Sequence, residues 1–230
     1  IGITNSANCA VASNTVVGNV CVDEGAGMLF WNCPNATLTC NAVIGNTAGH
    51  EGAAIYFGNS NDCSLAMCRI ADNETTNGLT GGIYVYNSLN LDLSGDLATP
   101  CDCNTICGNS GYCVYNDNST GDNISAANVR WCTMDTSAID TCIYDYFDDG
   151  SKGVVFYYPP VAGTLGDLNC DGIQDLFDID PFVIALTSVP LFEGYYNVYP
   201  CGDHTLADCN EDGVVDLFDI DPFVILLTGP

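Results

Sequence analysis

A six-residue motif recurs in the first half of the chain and constrains the fold more than any other feature. It has the form [Asn/Cys]-x-[Val/Ile]-x-x-Asn at residues 14–19, 41–46, 68–73 and 104–109, so its final asparagines are 27, 27 and 36 positions apart. A short segment rich in aromatic and β-branched residues follows each copy. Strands and turns at a near-constant period predict a solenoid, whose coils bury their apolar side chains by stacking on each other. The alternative is a β-sandwich of loosely similar strands.

Equivalent residues of a parallel β-coil stand above one another, with neighbouring coils about 4.8 Å apart. The motif therefore predicts one buried aliphatic ladder and one asparagine ladder at a turn. Asparagine suits a turn because it tolerates left-handed backbone geometry and its amide can bond to the coils above and below. The nine additional residues before Asn109 predict an excursion outside the stack at residues 93–103. The expected ladders are Val16, Val43, Ile70 and Ile106, and Asn19, Asn46, Asn73 and Asn109.

This pattern resembles the right-handed parallel β-helix repeats of pectate-lyase-like secreted bacterial proteins over about residues 1–160. Residues 123–149 are similar to the closing segment of that family. There we expect Asp135 to cap a short helix that buries Ala138, Ile139, Cys142 and Ile143, with a last strand within residues 152–158. The resemblance implies a mainly β fold, a right-handed parallel β-helix of about five coils.

Two acidic loops near the C-terminal end predict calcium binding. Residues 167–178 read DLNCDGIQDLFD and residues 208–219 read DCNEDGVVDLFD. Each loop has Asp or Asn at positions 1, 3, 5, 9 and 12 and glycine at position 6, which suits a hard cation that takes six to eight oxygen ligands. Two calcium ions are expected, and solvated acidic turns are the alternative. With the carbonyl at position 7, the predicted ligands are Asp167, Asn169, Asp171, Ile173, Asp175 and Asp178, and Asp208, Asn210, Asp212, Val214, Asp216 and Asp219.

Each loop runs into the same ten residues, DLFDIDPFVI, at residues 175–184 and 216–225. Asp180 and Asp221, each followed by proline, are predicted to be helix N-caps. The two helices are predicted to bury equivalent side chains, namely Phe182, Val183 and Leu186, and Phe223, Val224 and Leu227.

The duplicated loop and helix resemble a dockerin domain, a small α-helical module with two calcium loops. The predicted division is a β-helix over residues 1–160, a linker over 161–166 and the dockerin-like domain over 167–230. Dockerins dock through a Ser-Thr-like pair just after position 9, where this chain has Leu-Phe in both loops. The resemblance therefore implies an apolar contact in place of the usual cohesin contact.

Charge and cysteine content narrow the function classes. The chain has 29 Asp and Glu against 3 Lys and Arg, a net charge of −26, which excludes nucleic-acid binding and attachment to anionic membranes. A hydrophobic fraction of 47% argues against disorder, so bound cations are expected to relieve the self-repulsion. Fifteen cysteines favour a secreted or cell-surface setting, and their odd number leaves at least one free, modified or paired with another chain. Cys170 and Cys201 form a candidate disulfide, which makes Cys209 a candidate odd thiol.

No run of 18 apolar residues predicts a transmembrane helix, and the start at Ile1 within patterned sequence indicates a processed product. We also expect no catalytic site. Arg69 is predicted to face solvent, and no second Arg or Lys is predicted to stack beside it. The positions equivalent to Asp72 in the other coils are glycines, so no second carboxylate is predicted beside it. His50 and His204 have no predicted catalytic partners. The sequons at Asn35, Asn118 and Asn123 are candidate glycosylation sites in loops, or ordinary loop asparagines, whereas Asn73 belongs to the predicted ladder.

The sequence therefore predicts a secreted, non-enzymatic structural protein. An apolar start at Ile1, two duplicated apolar helices and an odd cysteine predict head-to-tail self-assembly into a fibre or surface layer, with calcium stiffening the joining module. The alternative is an extracellular carbohydrate-binding or polysaccharide-degrading protein, tethered to a scaffold or cell surface through the dockerin-like domain. Tyr84, Tyr86, Tyr112 and Tyr115 would then stack on sugars. A monomeric surface adhesin is a third option.

Overall fold

The fold is a parallel β-solenoid followed by two short helices. A computed structural model describes residues 1–95, 103–161, 163–169, 173–188, 191–192 and 204–228. The strands are β1 Gly2–Thr4, β2 Ala10–Ala12, β3 Thr15–Val17, β4 Met28–Trp31, β5 Thr37–Thr39, β6 Ala42–Ile44, β7 Thr47–Ala48, β8 Ile55–Gly58, β9 Ser64–Ala66, β10 Arg69–Ala71, β11 Glu74–Thr75, β12 Ile83–Tyr86, β13 Thr105–Cys107, β14 Val114–Asn116, β15 Ile124–Ser125, β16 Ile143–Tyr144 and β17 Val155–Phe156. The helices are α1 Thr136–Thr141, α2 Ile179–Thr187 and α3 Ile220–Thr228.

Three parallel sheets run along the solenoid. Sheet 1 has the order β1-β4-β8-β12-β14-β16, sheet 2 begins β2-β5-β9, and sheet 3 has the order β3-β6-β10-β13. Sheet 2 continues through bridges made by Asp92 to Ser64 and Ser125, which leads to the β15-β17 pair. Successive strands of each sheet come from successive coils. The chain thus forms about five coils, and the predicted parallel solenoid is confirmed.

The predicted aliphatic ladder is present in register. Val16 pairs with Val43, Val43 with Ile70, and Ile70 with Ile106, and all four side chains are buried. Sheets 1 and 2 add ladders such as Ile55, Ile83 and Val114, so one continuous core fills the coils. Each fully buried aliphatic side chain contributes about 1.5–3 kcal/mol relative to exposure, and neighbouring coils are needed to achieve that burial.

The asparagine ladder also forms as predicted. Asn19 Nδ2 donates to Asn46 Oδ1 at 2.9 Å, Asn46 Nδ2 to Asn73 Oδ1 at 2.9 Å, and Asn73 Nδ2 to Asn109 Oδ1 at 2.9 Å. Each amide also bonds to the backbone; Asn46, for example, donates to the carbonyl of Val16 at 2.9 Å. The ladder therefore supplies hydrogen bonds to buried backbone groups at a corner where no sheet provides them.

The excursion starts later than predicted. Leu93 is fully buried in the solenoid core, and its backbone N–H donates to Ser125 at 2.7 Å, so it belongs to the stack. Cys103 is buried as well. The rest of the predicted excursion, residues 96–102, lies outside the described residues.

The closing segment agrees with the prediction in part. Asp135 caps α1, because its carboxylate accepts the N–H of Ser137 at 2.9 Å. Within this helix only Ile139 is buried, and Ala138 is exposed, contrary to the prediction. The helix ends at Thr141, so Ile143 is buried as part of β16 instead. The predicted last strand is present as β17.

The C-terminal segment has its own small apolar cluster. Phe182 and Phe223 are buried, as predicted, and their rings stack on each other at 3.8 Å between α2 and α3. Val183 and Val224, predicted to be buried, are exposed, because two short helices cover only one stripe of each other. The helices also begin at Ile179 and Ile220, one residue before the predicted caps.

This C-terminal segment covers the outer face of sheet 3. Met67 packs against its apolar cluster, and Arg69 and Arg130 lie beside Thr205 in clefts along that face. Arg69 is only 4% exposed, so the prediction that it faces solvent is wrong. The sequence pattern identified the outward side of the strand correctly, but a distant segment shields that side from water.

Candidate functional site

The second acidic loop is folded around its own carboxylates. Asp208 accepts the backbone N–H groups of Asp212 at 3.0 Å and Gly213 at 2.8 Å, which draws positions 5 and 6 back to position 1. Gly213 has a positive φ of 89°, the conformation that the predicted glycine turn requires. Val214, whose carbonyl is the predicted position-7 ligand, follows directly, and its N–H donates to Asp212 at 3.0 Å.

Asp219 closes the same loop from its far end. Its side chain is fully buried and accepts the N–H groups of Asn210 at 3.0 Å and Asp216 at 2.8 Å. Asp216 in turn caps the following 3-10 turn by accepting the N–H of Phe218 at 2.8 Å. The side chains at positions 1, 9 and 12 therefore hold one closed loop together.

The first loop repeats this arrangement where the structure describes it. Asp178 is fully buried and accepts the N–H groups of Leu168 at 2.8 Å, Asn169 at 3.1 Å and Asp175 at 2.9 Å. Asp167 is buried as well, and the backbone at Ile173 is described. The predicted ligand Asp171 lies outside the described residues, together with Cys170 and Cys201 of the candidate disulfide.

The donor set of these loops suits a hard divalent cation. All predicted ligands offer oxygen, and the three basic side chains of the chain, at positions 69, 130 and 152, belong to the solenoid sequence. Within the described residues, however, no three His, Cys, Asp or Glu side chains converge into a ready-made metal cluster. In both loops the carboxylates instead accept hydrogen bonds from backbone N–H groups of the same loop.

A surface of apolar side chains surrounds these loops, and the duplicated sequence presents it twice. We define the C-terminal apolar face as Leu176, Phe177, Val183, Leu217, Phe218 and Val224. Phe177 is 74% exposed and Phe218 is 76% exposed, and the other four are also exposed. An entirely apolar groove of about 220 Å³ runs between α2 and α3 beside this face. The Leu-Phe pairs of the two acidic loops therefore lie at the surface.

Four tyrosines form a column on the outer face of sheet 1. Tyr56, Tyr84, Tyr115 and Tyr144 stand in register, with ring centroids 5.4, 5.0 and 4.2 Å apart. Tyr84 donates to Asp117 at 2.6 Å, and Asp117 also pairs with Lys152. Because stacked rings cover each other's faces, Tyr84 and Tyr115 offer little ring surface for a sugar.

We expect the tyrosine column to resist ionisation in strong alkali. Burial, followed by the nearby Glu24, raises the pKa of Tyr56 to about 12, and burial and the bond to Asp117 raise the pKa of Tyr84. A raised phenol pKa stabilises the fold fully below pH 10, the unfolded value, and that contribution is lost as the pH rises through about 12. At pH 11 the tyrosinate absorbance at 295 nm should therefore stay well below that of the chain in guanidinium.

Tyr84→Phe should reduce the late part of this titration, whereas Tyr158→Phe, at an exposed ring outside the column, should leave that part unchanged. Equal absorbance of folded and unfolded chains at pH 11 would contradict the prediction.

The side chains considered for catalysis lie in two separate places. Arg69, Asp72 and His204 line a cleft of about 270 Å³ beside the disulfide between Cys107 and Cys132. His50 is exposed elsewhere, on the solenoid. The cleft brings together residues that sequence spacing left apart, because the sequence gives no sign of where residue 204 docks.

The predicted glycosylation candidates differ in accessibility. Asn35 is exposed at a turn with a positive φ of 58°. Asn123 is half-buried and accepts the N–H of Val154 at 2.8 Å. Asn118 lies at a bend outside the strands, as predicted, but it is buried, and its Nδ2 donates to the carbonyl of Ser88 at 2.8 Å. This asparagine continues an inner ladder that also contains Ser60 and Ser88.

Comparison with known proteins gives one family. The family described as "Periplasmic copper-binding protein (NosD)" matches residues 2–147, which contain most of the solenoid. No curated protein and no solved structure matches the chain. Among the described helices, none is both long and apolar enough to span a membrane.

Proposed function

Because the chain belongs to the NosD family, a parallel β-helix family, we propose that it is a non-enzymatic structural protein that works outside the cytoplasm. In this proposal the C-terminal segment is a dockerin-like module that binds two calcium ions and joins the solenoid to a second copy. The family's description as periplasmic supports the location, and so does the disulfide between Cys107 and Cys132.

Calcium is proposed on the donor chemistry of the two loops. Asp208, Asn210, Asp212, Asp216 and Asp219, with the carbonyl of Val214, would hold one ion, and the equivalent residues 167–178 the other. The buried carboxylates of Asp178 and Asp219 support this, because no basic side chain occurs in either loop. Two ions would move the formal charge from −26 to about −22.

Copper, which the family description names, finds less support in the described residues. Soft donors do meet there, for example Cys40 Sγ and Met67 Sδ at 3.8 Å, but no three His, Cys, Asp or Glu side chains of the described residues converge into a metal cluster. The all-oxygen donors of the two loops suit calcium, whereas copper prefers nitrogen and sulfur ligands, so we assign copper no part in the proposal.

One observation carries the joining role, the exposure of the C-terminal apolar face. Large aromatic and aliphatic side chains that remain exposed together on a small module mark an interaction surface. A second exposed apolar group lies in the first turns of the solenoid, where Val20 and Val22 are 78% and 82% exposed. Contact between these two different surfaces would be head-to-tail, and a head-to-tail contact that does not close produces a filament.

Calcium should promote this association through charge. Copies with a charge of −26 repel one another, and ions bound beside the apolar face lower the local negative charge where the copies meet. We therefore expect assembly to require calcium and to strengthen as salt screens the remaining repulsion.

The proposal predicts calcium-dependent oligomers. Native mass spectrometry and electron microscopy should show species larger than the 24.3 kDa monomer with calcium and monomers with EGTA. Phe177→Ser with Phe218→Ser should abolish the oligomers by removing two exposed rings. Phe147→Ser, which alters a ring 76% exposed on the solenoid, should not. Monomers of wild-type protein in both conditions would refute the assembly.

Carbohydrate binding is the second candidate, favoured by exposed rings on sheet 1. Trp31 is 40% exposed and Tyr86 is 43% exposed, so both retain ring surface that a sugar could cover. The stacked Tyr84 and Tyr115 do not. Binding on a glycan array that is lost in Trp31→Ala and retained in the Phe177 and Phe218 double variant would favour this function over assembly.

A further inference from the structure

In the described part of the solenoid, cysteines stand at equivalent positions of neighbouring coils in two places. Thr105 bridges Arg130 in parallel, so Cys107 and Cys132, two residues further on in each coil, are also equivalent. These two form a disulfide with a Cα–Cα distance of 5.7 Å. The solenoid therefore already contains one covalent link between adjacent coils.

Cys113 and Cys142 also occupy equivalent positions of two neighbouring coils. Val114 pairs with Ile143, so the preceding residues, Cys113 and Cys142, stand directly above one another. The backbone N–H of Cys113 donates to the carbonyl of Cys142 at 2.6 Å, and the two thiols are hydrogen-bonded to each other. From this geometry we infer that Cys113 and Cys142 form a second cross-coil disulfide in an oxidising compartment.

The environment of the pair assigns different roles to the two sulfurs. The Cys113 thiol donates to the sulfur of Cys142, which lowers the pKa of Cys142 and raises that of Cys113. Cys142 is also the more exposed of the two. Cys142 is therefore the sulfur that an external oxidant meets first.

The oxidant is a disulfide, such as glutathione disulfide. The Cys142 thiolate attacks one of its sulfurs, the S–S bond breaks, and one glutathione thiolate leaves. Cys113 then loses its proton and attacks Cys142 Sγ, which forms the protein disulfide and releases the second glutathione. In total the pair loses two protons and two electrons, and one glutathione disulfide becomes two thiols.

The link would fasten the end of the solenoid. It joins β14 to the residue that follows α1, so the closing helix and β16 could not separate from the coil beneath them. Closing a loop of about 30 residues should suppress that opening by about 500-fold in the chain-entropy estimate. Cys21 is a suitable control, because its equivalent in the neighbouring coil is Ala48 and its Sγ contacts the carbonyls of Asp23 and Glu24.

Peptide mapping of the full-length protein without reduction tests the inference. After incubation with glutathione disulfide, a peptide pair joined through Cys113 and Cys142 should appear, alongside the pair joined through Cys107 and Cys132. Pepsin is the suitable protease because the chain offers trypsin only three sites. Full alkylation of Cys113 and Cys142 in protein whose Cys107–Cys132 bond is intact would overturn the inference.

Hydrogen exchange tests the consequence. Oxidation should slow exchange at the amides of Val114 and Ile143 by about 500-fold in the wild type and in Cys21→Ser, but not in the Cys113→Ser, Cys142→Ser double variant. Unchanged exchange in wild type that carries the bond would overturn the fastening role. The wild-type peptide map decides the bond itself, even if the double variant fails to fold.

Discussion

Asn46→Ala should lower the free energy of unfolding of the solenoid by about 3–5 kcal/mol, because several buried backbone groups would lose their partners together. The Asn46 side chain is fully buried. Its Oδ1 accepts the backbone N–H of Asn19 at 3.0 Å, and its Nδ2 donates to the carbonyls of Val16 at 2.9 Å and Ile44 at 3.2 Å. Each buried polar group left without a partner costs about 1–3 kcal/mol. Equilibrium unfolding in urea, followed by circular dichroism, measures the change.

Asn19→Ala is the matched control at the exposed end of the same ladder. The Asn19 side chain is exposed, and without it Asn46 Oδ1 still accepts the backbone N–H of residue 19, so its loss should cost less than about 1 kcal/mol. Similar losses in the two variants would show that burial of the ladder is not what makes it stabilising. Gly45, and not Asn46, has the left-handed backbone conformation, so alanine at position 46 introduces no backbone strain.

Removal of calcium should unfold the C-terminal module while the solenoid stays folded. Without the ions, Asp208, Asp212, Asp216 and Asp219 repel one another in a module whose apolar cluster is small. If the ions bind with micromolar affinity, millimolar calcium should raise the melting temperature of the module by about 15 °C or more. Calorimetry in calcium and in EGTA measures this shift, and identical melting curves would contradict calcium binding.

Asp219→Ala should remove calcium binding by the second loop alone. It removes the carboxylate that bonds to both Asn210 and Asp216, so titration calorimetry should find one calcium site in place of two. Asp221→Ala, an exposed carboxylate in the first turn of α3, should retain both sites. Two intact sites in Asp219→Ala would exclude the second loop as a calcium site.

The solenoid was predictable because its register is set by the repeat itself. Val43 and Ile70 could be placed in one ladder from a spacing of 27 residues, and the hydrogen bonds between Asn46 and Asn73 followed from the same spacing. The first residue of the motif forms a further ladder, in which Asn14 donates to Asn41 at 3.0 Å. The sequence pattern showed that this position repeats, but it did not predict the hydrogen bonds that its side chains make. Local repetition thus determines most of this domain.

The errors arise where distant segments meet. The burial of Arg69 depends on where Thr205 docks, and no periodicity relates the two residues. Val183 is exposed because α3 covers only part of α2. The spacing of apolar residues along a helix does not specify how much of that helix a neighbour covers. The equivalence of Cys113 and Cys142 was not apparent, because the last coil carries no copy of the motif that marks the register. In the candidate calcium loops, spacing predicted the oxygen donors, and only coordinates could show which backbone groups hold them.

The docking of the C-terminal segment on sheet 3 also determines which charged side chains the protein exposes to ions in solution. It shields Arg69 and Arg130, and Lys152 is paired with Asp117, so none of the three basic side chains projects unopposed into the solvent. The particle should therefore behave as a compact polyelectrolyte with a condensed atmosphere of small cations. It should migrate rapidly toward the anode in native electrophoresis, and multivalent ions should slow that migration well before the protein precipitates.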